Sequence, residues 1–317
     1  IKFYKIKKVI FFYFLSTLVT LITFLYSQHP IDSEMYHHPY VSYLNKEKII
    51  LGIANLQFRF GHVSLLQYFQ AITVNNNLSI HNISFANIFF FTAFVVFAIK
   101  KLFQNNKLDF LKIITLSLLF ITLIKFGRYR EWGNDLIPLI VCFYFLIKFL
   151  ETKFFVQKKL LINLTPLLFV FLLVHKISYI FAPLFLIYFF KESFFFKELF
   201  NLRYFWFSFI FASLWLLKTF IVSSCLVYPV TVTCFSNDLI VAGGLADPAK
   251  ASWLTELWSK SFIAHPDWRS LNLNLYIQNF NWVPTWLSSH FYKILEKTSS
   301  IFILFLILFI YSFLFKK

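Results

Sequence analysis

Carboxylates and imidazoles cluster in one short segment of the sequence. Asp32, Glu34, His37 and His38 follow the first long apolar stretch of the chain directly. Two carboxylates so close together suit a general base and a group that orients it. Two other interpretations fit the same residues: Asp32 as the N-cap of a short helix that starts after Pro30, or a metal site. Because the spacing matches no diagnostic ligand pattern, we predict no metal site, and the need for a divalent metal stays open.

Helical spacing would divide these side chains between two faces. In an α-helix over this segment, Asp32 and Tyr36 share one face, whereas Glu34, His37 and His38 share another. Histidine titrates near neutral pH, so His37 is a candidate for a substrate contact as well as for an ordinary hydrogen bond. The segment is therefore predicted to be a short helix at a membrane surface.

Cationic side chains that could bind an anion occur at four later positions, Arg59, Arg128, Arg130 and Lys176. Ordinary roles also fit three of them. These roles are solvation of a loop for Arg128 and Arg130, and snorkelling at the end of a span for Lys176. Asp135 is a candidate for positioning a substrate or for capping the apolar stretch that follows it.

The composition requires that membrane-spanning helices hold these residues. Of the 317 residues, 59% are apolar and 47 are phenylalanine, with a mean hydropathy of +0.69. That apolar content far exceeds what one soluble core needs. The apolar runs are continuous rather than alternating, which favours helices over a β-barrel. The net charge of +16 lies at the ends of these runs, so nucleic acid is not a predicted partner. We predict an all-α, polytopic transmembrane fold.

Apolar stretches of sufficient length predict about eight spans. They cover residues 10–27, 83–99, 111–126, 136–150, 160–174, 178–190, 204–222 and 301–315. By the positive-inside rule, lysines before the first span and after the last place both termini in the cytoplasm. A single transmembrane domain, residues 1–317, then carries outer loops 28–82 and 223–299 on the outer face of a bacterial inner membrane. Because the chain starts without a methionine, a fragment of a longer protein fits the sequence as well as a compact protein does.

The last outer loop contains two cysteines and several tryptophans. Cys225 and Cys234 lie on the oxidising side, where they are close enough in sequence to form a structural disulfide. Aromatic faces stack on sugars, but tryptophan also favours membrane interfaces without any ligand. Both interpretations apply to Trp253, Trp258, Trp268, Trp282 and Trp286.

Several motifs resemble those of a family of bacterial GT-C-like membrane proteins. The first is Asp32 with Tyr36-His37 and Pro39, and the second is Gly52-Ile53-Ala54-Asn55-Leu56 with Arg59-Phe60-Gly61 and Ser64. Later elements in the same order are Asp135 within residues 132–136, Lys176-Ile177-Ser178, and the stretch Ser223 to Pro229. This family usually carries Ser-Gly where the present sequence has Ser223-Ser224. The layout is also similar to that of lipid-linked-sugar transferases such as protein O-mannosyltransferases and aminoarabinose transferases.

The resemblance implies an enzyme that moves a sugar from a polyprenyl-phosphate-linked donor to an acceptor on the outer face. In such enzymes an acidic residue just after the first span is catalytic, which implies that Asp32 is the general base, with Glu34 as a second candidate. Candidates for binding the phosphate and the substrate are then Tyr36, His37, Arg59, Arg128, Arg130, Asp135 and Lys176. The implied partners are the lipid-linked donor, the bilayer and a glycan, lipid or protein acceptor, and no cofactor is predicted.

Two other functions fit a polytopic chain with charged outer loops. A transporter or flippase would place charges near the middle of spans and show repeat symmetry, and the sequence has few such charges and no repeat. A polysaccharide polymerase or ligase would share the large outer loop and its arginines. Lengthening of a polymer, rather than addition of one sugar, would distinguish it from the transferase.

Overall fold

The computed structural model describes residues 2–26, 32–47, 49–62, 64–74, 85–104, 110–124, 135–154, 158–176, 179, 200, 202–235, 240, 247–292, 294, 295, 299, 302, 306 and 310. Every regular element within these residues is a helix, so the predicted all-α class is confirmed. The chain forms two compact units, residues 1–50 with 63–218 and residues 51–62 with 219–317. That these belong to one transmembrane domain stays a prediction.

Long helices make up most of the first unit. Six of them fall on the predicted apolar spans: α1 (Lys2–Tyr26), α4 (Phe85–Leu102), α5 (Phe110–Ile124), α6 (Leu136–Phe154), α7 (Lys158–Leu173) and α8 (Phe205–Ser223), the last of which ends in the second unit. Two shorter helices, α2 (His38–Glu47) and α3 (Leu65–Thr73), belong to the predicted first outer loop. The predicted spans 178–190 and 301–315 lie almost entirely outside the described residues.

Helix α4 is at the centre of this unit, where it contacts α1, α3, α5 and α6. Phe12, Phe94, Leu118 and Ile140 bring one buried apolar side chain each from α1, α4, α5 and α6 to a shared core. Burial of a side chain of this size stabilises a fold by about 1.5–3 kcal/mol. Apolar packing therefore joins these four helices at this core.

Hydroxyl side chains within the helices bond to their own helix or to the next one. Ser16 Oγ donates to the carbonyl of Phe12 at 2.6 Å, and Thr20 Oγ1 donates to that of Ser16 at 2.8 Å. Thr92 Oγ1 of α4 then donates to Thr20 Oγ1 at 3.2 Å. A buried hydroxyl without such a bond would be costly, so these bonds allow polar residues inside an apolar bundle.

Ion pairs lie at both ends of α6. Asp135 directly precedes the helix and pairs with Lys176, which follows the end of α7. Glu151, in the last turn of α6, pairs with Lys101 at the end of α4 and accepts from Lys148 Nζ at 2.9 Å. The end of α4 therefore meets the end of α6, while the end of α7 meets its start.

The helix lengths alone do not establish eight membrane spans. By length and composition, one described helix, α8, is long and apolar enough to cross a bilayer. Shorter apolar stretches occur at Ile10–Ile22, Phe110–Leu123 and Asn163–Leu173. The multi-pass topology stays a prediction.

Short helices and single turns form the second unit. Its helices are α9 (Pro248–Ser259), α10 (Leu273–Ile277) and α11 (Val283–Trp286). Asp247 caps α9 by accepting from the Ala249 backbone N–H at 2.7 Å. Turns of 3₁₀ type cover Ile53–Asn55, Phe58–Gly61, Thr231–Thr233 and Phe262–Ala264, and a π turn covers Leu287–Phe291.

A disulfide lies in the core of this unit. Cys225 and Cys234, the pair that the sequence suggests, are joined with their Cα atoms 3.9 Å apart. Tyr228 and Ala251 are buried beside them, and Phe58 packs against the same cluster. The disulfide therefore joins two parts of the stretch that supports α9.

Two glycines of the second sequence motif are required by their surroundings. Gly52 has φ +62°, and a Cβ there would lie 2.2 Å from the carbonyl oxygen of Ile240. Asn55 Nδ2 donates to that same oxygen at 2.6 Å. A Cβ at Gly61 would lie 2.5 Å from the Tyr228 ring. The motif around residues 52–61 thus packs against residues that follow α8.

Replacement of Gly52 by alanine should destabilise this packing. We expect Gly52→Ala to lower the free energy of unfolding by about 2 kcal/mol or more, because the left-handed backbone and the close carbonyl both oppose a Cβ. Leu51→Ala is the control: Leu51 is exposed, and its loss should change stability by about 0.5 kcal/mol or less. Thermal unfolding of the purified variants measures both changes in stability. Equal unfolding temperatures for Gly52→Ala and Leu51→Ala would contradict the close packing around Gly52.

Ser224 adopts a left-handed conformation, with φ 62°, at the position where the resembling family usually has glycine. Its Oγ donates to the Phe235 carbonyl at 2.6 Å. Ser224→Ala and Ser224→Gly both remove that bond, but only glycine relieves the backbone strain. We expect the glycine variant to be more stable than the alanine variant by about 1 kcal/mol, as measured by thermal unfolding. A higher unfolding temperature for Ser224→Ala than for Ser224→Gly would contradict backbone strain at this position.

Candidate functional site

The segment with the paired carboxylates forms a π turn. It covers Ser33–His37 and continues into α2, with the His38 backbone N–H donating to the Ser33 carbonyl. Asp32 stands at its N-cap position, yet its side chain makes no capping hydrogen bond, so the capping interpretation is wrong for its carboxylate. Single π turns occur often at functional sites.

The π turn also changes the predicted faces. Glu34 is exposed, whereas His37 and His38 are buried, so these three do not share an environment as α-helical spacing predicts. Asp32 and Tyr36 are both partly exposed. The difference arises because a π turn has more residues per turn than the 3.6 of an α-helix.

His37 joins the π turn to α3. The Gln67 side chain, also buried, lies with its Nε2 3.3 Å from His37 Nδ1. The Tyr36 and His37 rings pack at a centroid distance of 4.2 Å. His37 is a predicted substrate contact, but in this arrangement it holds the segment that carries Asp32 against α3.

Helices α2 and α3 also meet at two buried tyrosines, Tyr40 of α2 and Tyr68 of α3. Burial raises the pKa of Tyr40 well above its ordinary value, and the neighbouring Tyr68 raises it further. Burial likewise raises the pKa of Tyr68 to about 12, although its interaction with Tyr40 has the opposite effect. Both hydroxyls therefore stay protonated and neutral at physiological pH.

Lys218 lies against Tyr68. Lys218 was not among the candidate residues identified from the sequence. Its Nζ is 4.1 Å from the centroid of the Tyr68 ring and 3.8 Å from that of the Trp215 ring. A desolvated cation–π contact is worth about 2 kcal/mol, which offsets part of the several kcal/mol that burial of an ammonium costs. The available signal was its position as the one charged residue within the predicted span 204–222.

The residues after α7 meet the start of α3. The Leu65 backbone N–H donates to the Val174 carbonyl at 3.0 Å. His175 is buried, and its Nδ1 donates to the Phe171 carbonyl at 2.6 Å. Lys176 and Asp135, predicted separately as a phosphate ligand and a positioning residue, form an ion pair with each other, and each is about half exposed.

The remaining predicted cations are not part of this arrangement. Arg59 belongs to the second unit, where its guanidinium lies 5.4 Å from the centroid of the Trp258 ring. Arg128 and Arg130 lie outside the described residues. Among the described residues, no group of three or more histidine, cysteine, aspartate or glutamate side chains could hold a metal ion.

Aromatic rings of the last predicted loop contact cations or other rings within the second unit. The Trp282 ring lies 5.5 Å from Lys260 Nζ, and the Trp286 ring stacks on His290 at 5.9 Å. These contacts give both tryptophans a role in packing.

The first unit thus combines a partly exposed carboxylate, two protonated tyrosine hydroxyls and a buried ammonium around α2 and α3. One family matches the entire chain, residues 1–317, and its description is Domain of unknown function (DUF8201). The chain belongs to this family. Comparison of this DUF8201 member with curated proteins and with solved structures finds no match.

His175 should make stability depend on pH. Burial lowers its pKa to about 4, while the hydrogen bond to Phe171 acts in the opposite direction. The unfolded histidine has a pKa near 6.5, so its contribution is complete above that pH and is lost as the pH falls towards 4. At pH 5 the loss should reach about 2 kcal/mol.

Thermal unfolding at pH 7.5 and pH 5.0 tests this expectation. His175→Phe keeps an aromatic ring but cannot titrate, so it should lose less stability than the wild type between the two pH values. An equal loss in both proteins would show that other groups cause the pH dependence.

Proposed function

We propose that this DUF8201 member is a multi-pass membrane glycosyltransferase. It moves a sugar from a polyprenyl-phosphate donor to an acceptor on the outer face of a bacterial inner membrane. Asp32 acts as the general base. The observation that carries the proposal is the partly exposed Asp32 carboxylate, which lies six residues after the end of α1 and does not cap its own helix.

Exposed apolar helix faces support the membrane location. Phe14 of α1 is 68% exposed, and Phe207 and Leu214 of α8 are 62% and 58% exposed. Further large apolar side chains are exposed along both helices. Apolar surface of this extent is unfavourable in water but matches the hydrocarbon of a bilayer.

The ion pairs of α6 support the proposed direction of the helices. In the eight-span topology, Lys101 and Glu151 both lie on the cytoplasmic side, whereas Asp135 and Lys176 both lie on the outer side. Each ion pair therefore joins residues that the topology assigns to the same side. Reversal of any one of α4, α6 or α7 relative to the other two would separate at least one of these pairs.

The contacts of α2 and α3 support a functional surface on the outer side. Both helices belong to the loop that the topology places outside. The residues after α7 lie on the same side, and the last turns of α8 form the outer end of the predicted span 204–222. Contacts of α3 with α2, Val174 and Lys218 bring these elements together within the first unit. The lipid carrier would stay in the bilayer, with its phosphate at this level.

The transfer forms one bond and breaks another. The acceptor hydroxyl oxygen attacks the anomeric carbon of the sugar, and the bond from that carbon to the phosphate oxygen breaks. The hydroxyl proton goes to the Asp32 carboxylate, and the polyprenyl phosphate leaves with the bonding electron pair. Cationic groups near the phosphate stabilise this leaving charge.

Sugar transfer by purified protein in lipid vesicles tests the proposal, with a radiolabelled polyprenyl-phosphate sugar as donor. Asp32→Asn keeps the size of the side chain but removes the base, so we expect a loss of about 10²-fold or more. Glu34→Gln is the matched control, an exposed carboxylate two residues away, and should keep most of the activity.

Other outcomes identify the alternatives. Full activity of Asp32→Asn with loss in Glu34→Gln would transfer the role of base to Glu34. Lengthening of a polymer would indicate a polymerase. Movement of intact donor across the bilayer without sugar transfer would indicate a flippase.

A further inference from the structure

Lys218 differs from the other lysines of the described structure in how its charge is accommodated. It is 7% exposed, and its ammonium makes no hydrogen bond within the described residues. A lysine that snorkels extends its ammonium to water. Lys218 instead keeps its ammonium between the Tyr68 and Trp215 rings.

Lys260 provides the internal comparison. It also lies over an aromatic ring, that of Trp282, but it pairs with Glu256 and donates to the Ile277 carbonyl at 3.3 Å. Its charge is therefore satisfied within the protein. Lys218 has the same type of aromatic contact without an acidic partner among the described residues, which is the arrangement of a cation that is kept for an external anion.

Tyr68, whose ring lies against Lys218, and Gln67, which precedes it in α3, offer a donor and an acceptor for a glycosyl phosphate. The Tyr68 hydroxyl is a neutral donor, since its pKa is about 12, and donors suit phosphate oxygens. On the preceding residue, Gln67 Oε1 is buried with no hydrogen-bond partner among the described residues. An amide oxygen accepts, so it suits a hydroxyl group. Donors for an anion and an acceptor for a hydroxyl match the two ends of a glycosyl phosphate.

We infer that Lys218 binds the phosphate of the polyprenyl-phosphate donor, with Tyr68 as a second donor. This inference rests on the proposed function and adds the residue that recognises the lipid carrier. Lys176 is less suited to this role because its ammonium already pairs with Asp135.

Binding of polyprenyl phosphate to the purified full chain in phosphatidylcholine nanodiscs tests the inference. Lys218→Met keeps an apolar stem of similar length but removes the ammonium. We expect it to weaken binding by at least about tenfold, the lower end for loss of a charge-assisted hydrogen bond. Lys260→Met should bind as the wild type does. Unchanged affinity in Lys218→Met would overturn the inference.

Stability provides a second readout that a merely structural lysine would not produce. Replacement of a buried charge by an apolar side chain is often neutral or stabilising, so Lys218→Met should unfold at the same temperature as the wild type or higher, while binding is lost. A lower unfolding temperature together with unchanged ligand affinity would indicate a structural lysine and overturn the inference.

Trp215 allows a measurement that does not depend on a Lys218 variant. Its ring lies 3.8 Å from Lys218 Nζ, so phosphate bound there should change its fluorescence. The change should appear when polyprenyl phosphate is added to the wild type and should be absent in Trp215→Phe. No change in the wild type at saturating ligand would overturn the inference.

Further ligands distinguish the sources of phosphate. Inorganic phosphate at high concentration should compete, since the phosphate group itself is recognised, whereas phosphatidylglycerol should not. Equal, Lys218-dependent binding of phosphatidylglycerol would overturn the assignment to the polyprenyl carrier. Asp32→Asn should bind polyprenyl phosphate normally, so failure of the Asp32 prediction and failure of the Lys218 prediction give different results.

Discussion

The packing of α2 against α3 is the contact on which the arrangement of the first unit depends. His37 of the π turn lies beside Gln67 of α3, and Tyr40 of α2 lies beside Tyr68 of α3, so two neighbouring contacts place this segment against α3. Buried polar groups require partners with defined geometry, whereas apolar contacts tolerate rotation. The segment that carries Asp32 is therefore packed against α3, the helix whose Tyr68 ring also contacts the Lys218 ammonium.

In the second unit, close packing between segments depends on backbone conformation. Gly52, Gly61 and Ser224 each stand where the chain passes close to another segment or takes a left-handed turn. Ser224 accepts that conformation because its hydroxyl and its backbone both bond to Phe235. The sequence motifs around Gly52, Gly61 and Ser224 are thus explained by packing and do not require a catalytic role.

Sequence patterns predicted the long helices well and the charged contacts poorly. An apolar run such as residues 111–126 indicates a helix because any other backbone would leave its amides unsatisfied in apolar surroundings. The π turn at Ser33–His37 could not be foreseen, because no residue preference specifies it, and it moved His37 and Glu34 into different environments. The pairing of Asp135 with Lys176 joins residues 41 positions apart and depends on the packing of α6 and α7.

The distinction between Lys176 and Lys218 follows from electrostatics. A cation paired with a carboxylate gains little by exchanging it for a phosphate, because one ion pair replaces another and the carboxylate is left behind. The desolvation cost of a buried cation held by aromatic rings is already part of the folded state, so only the desolvation of the arriving phosphate opposes their interaction. Pre-desolvated charge of this kind favours an anion whose lipid tail already brings it to the membrane surface, and it does so without attracting the many phosphates that remain in water.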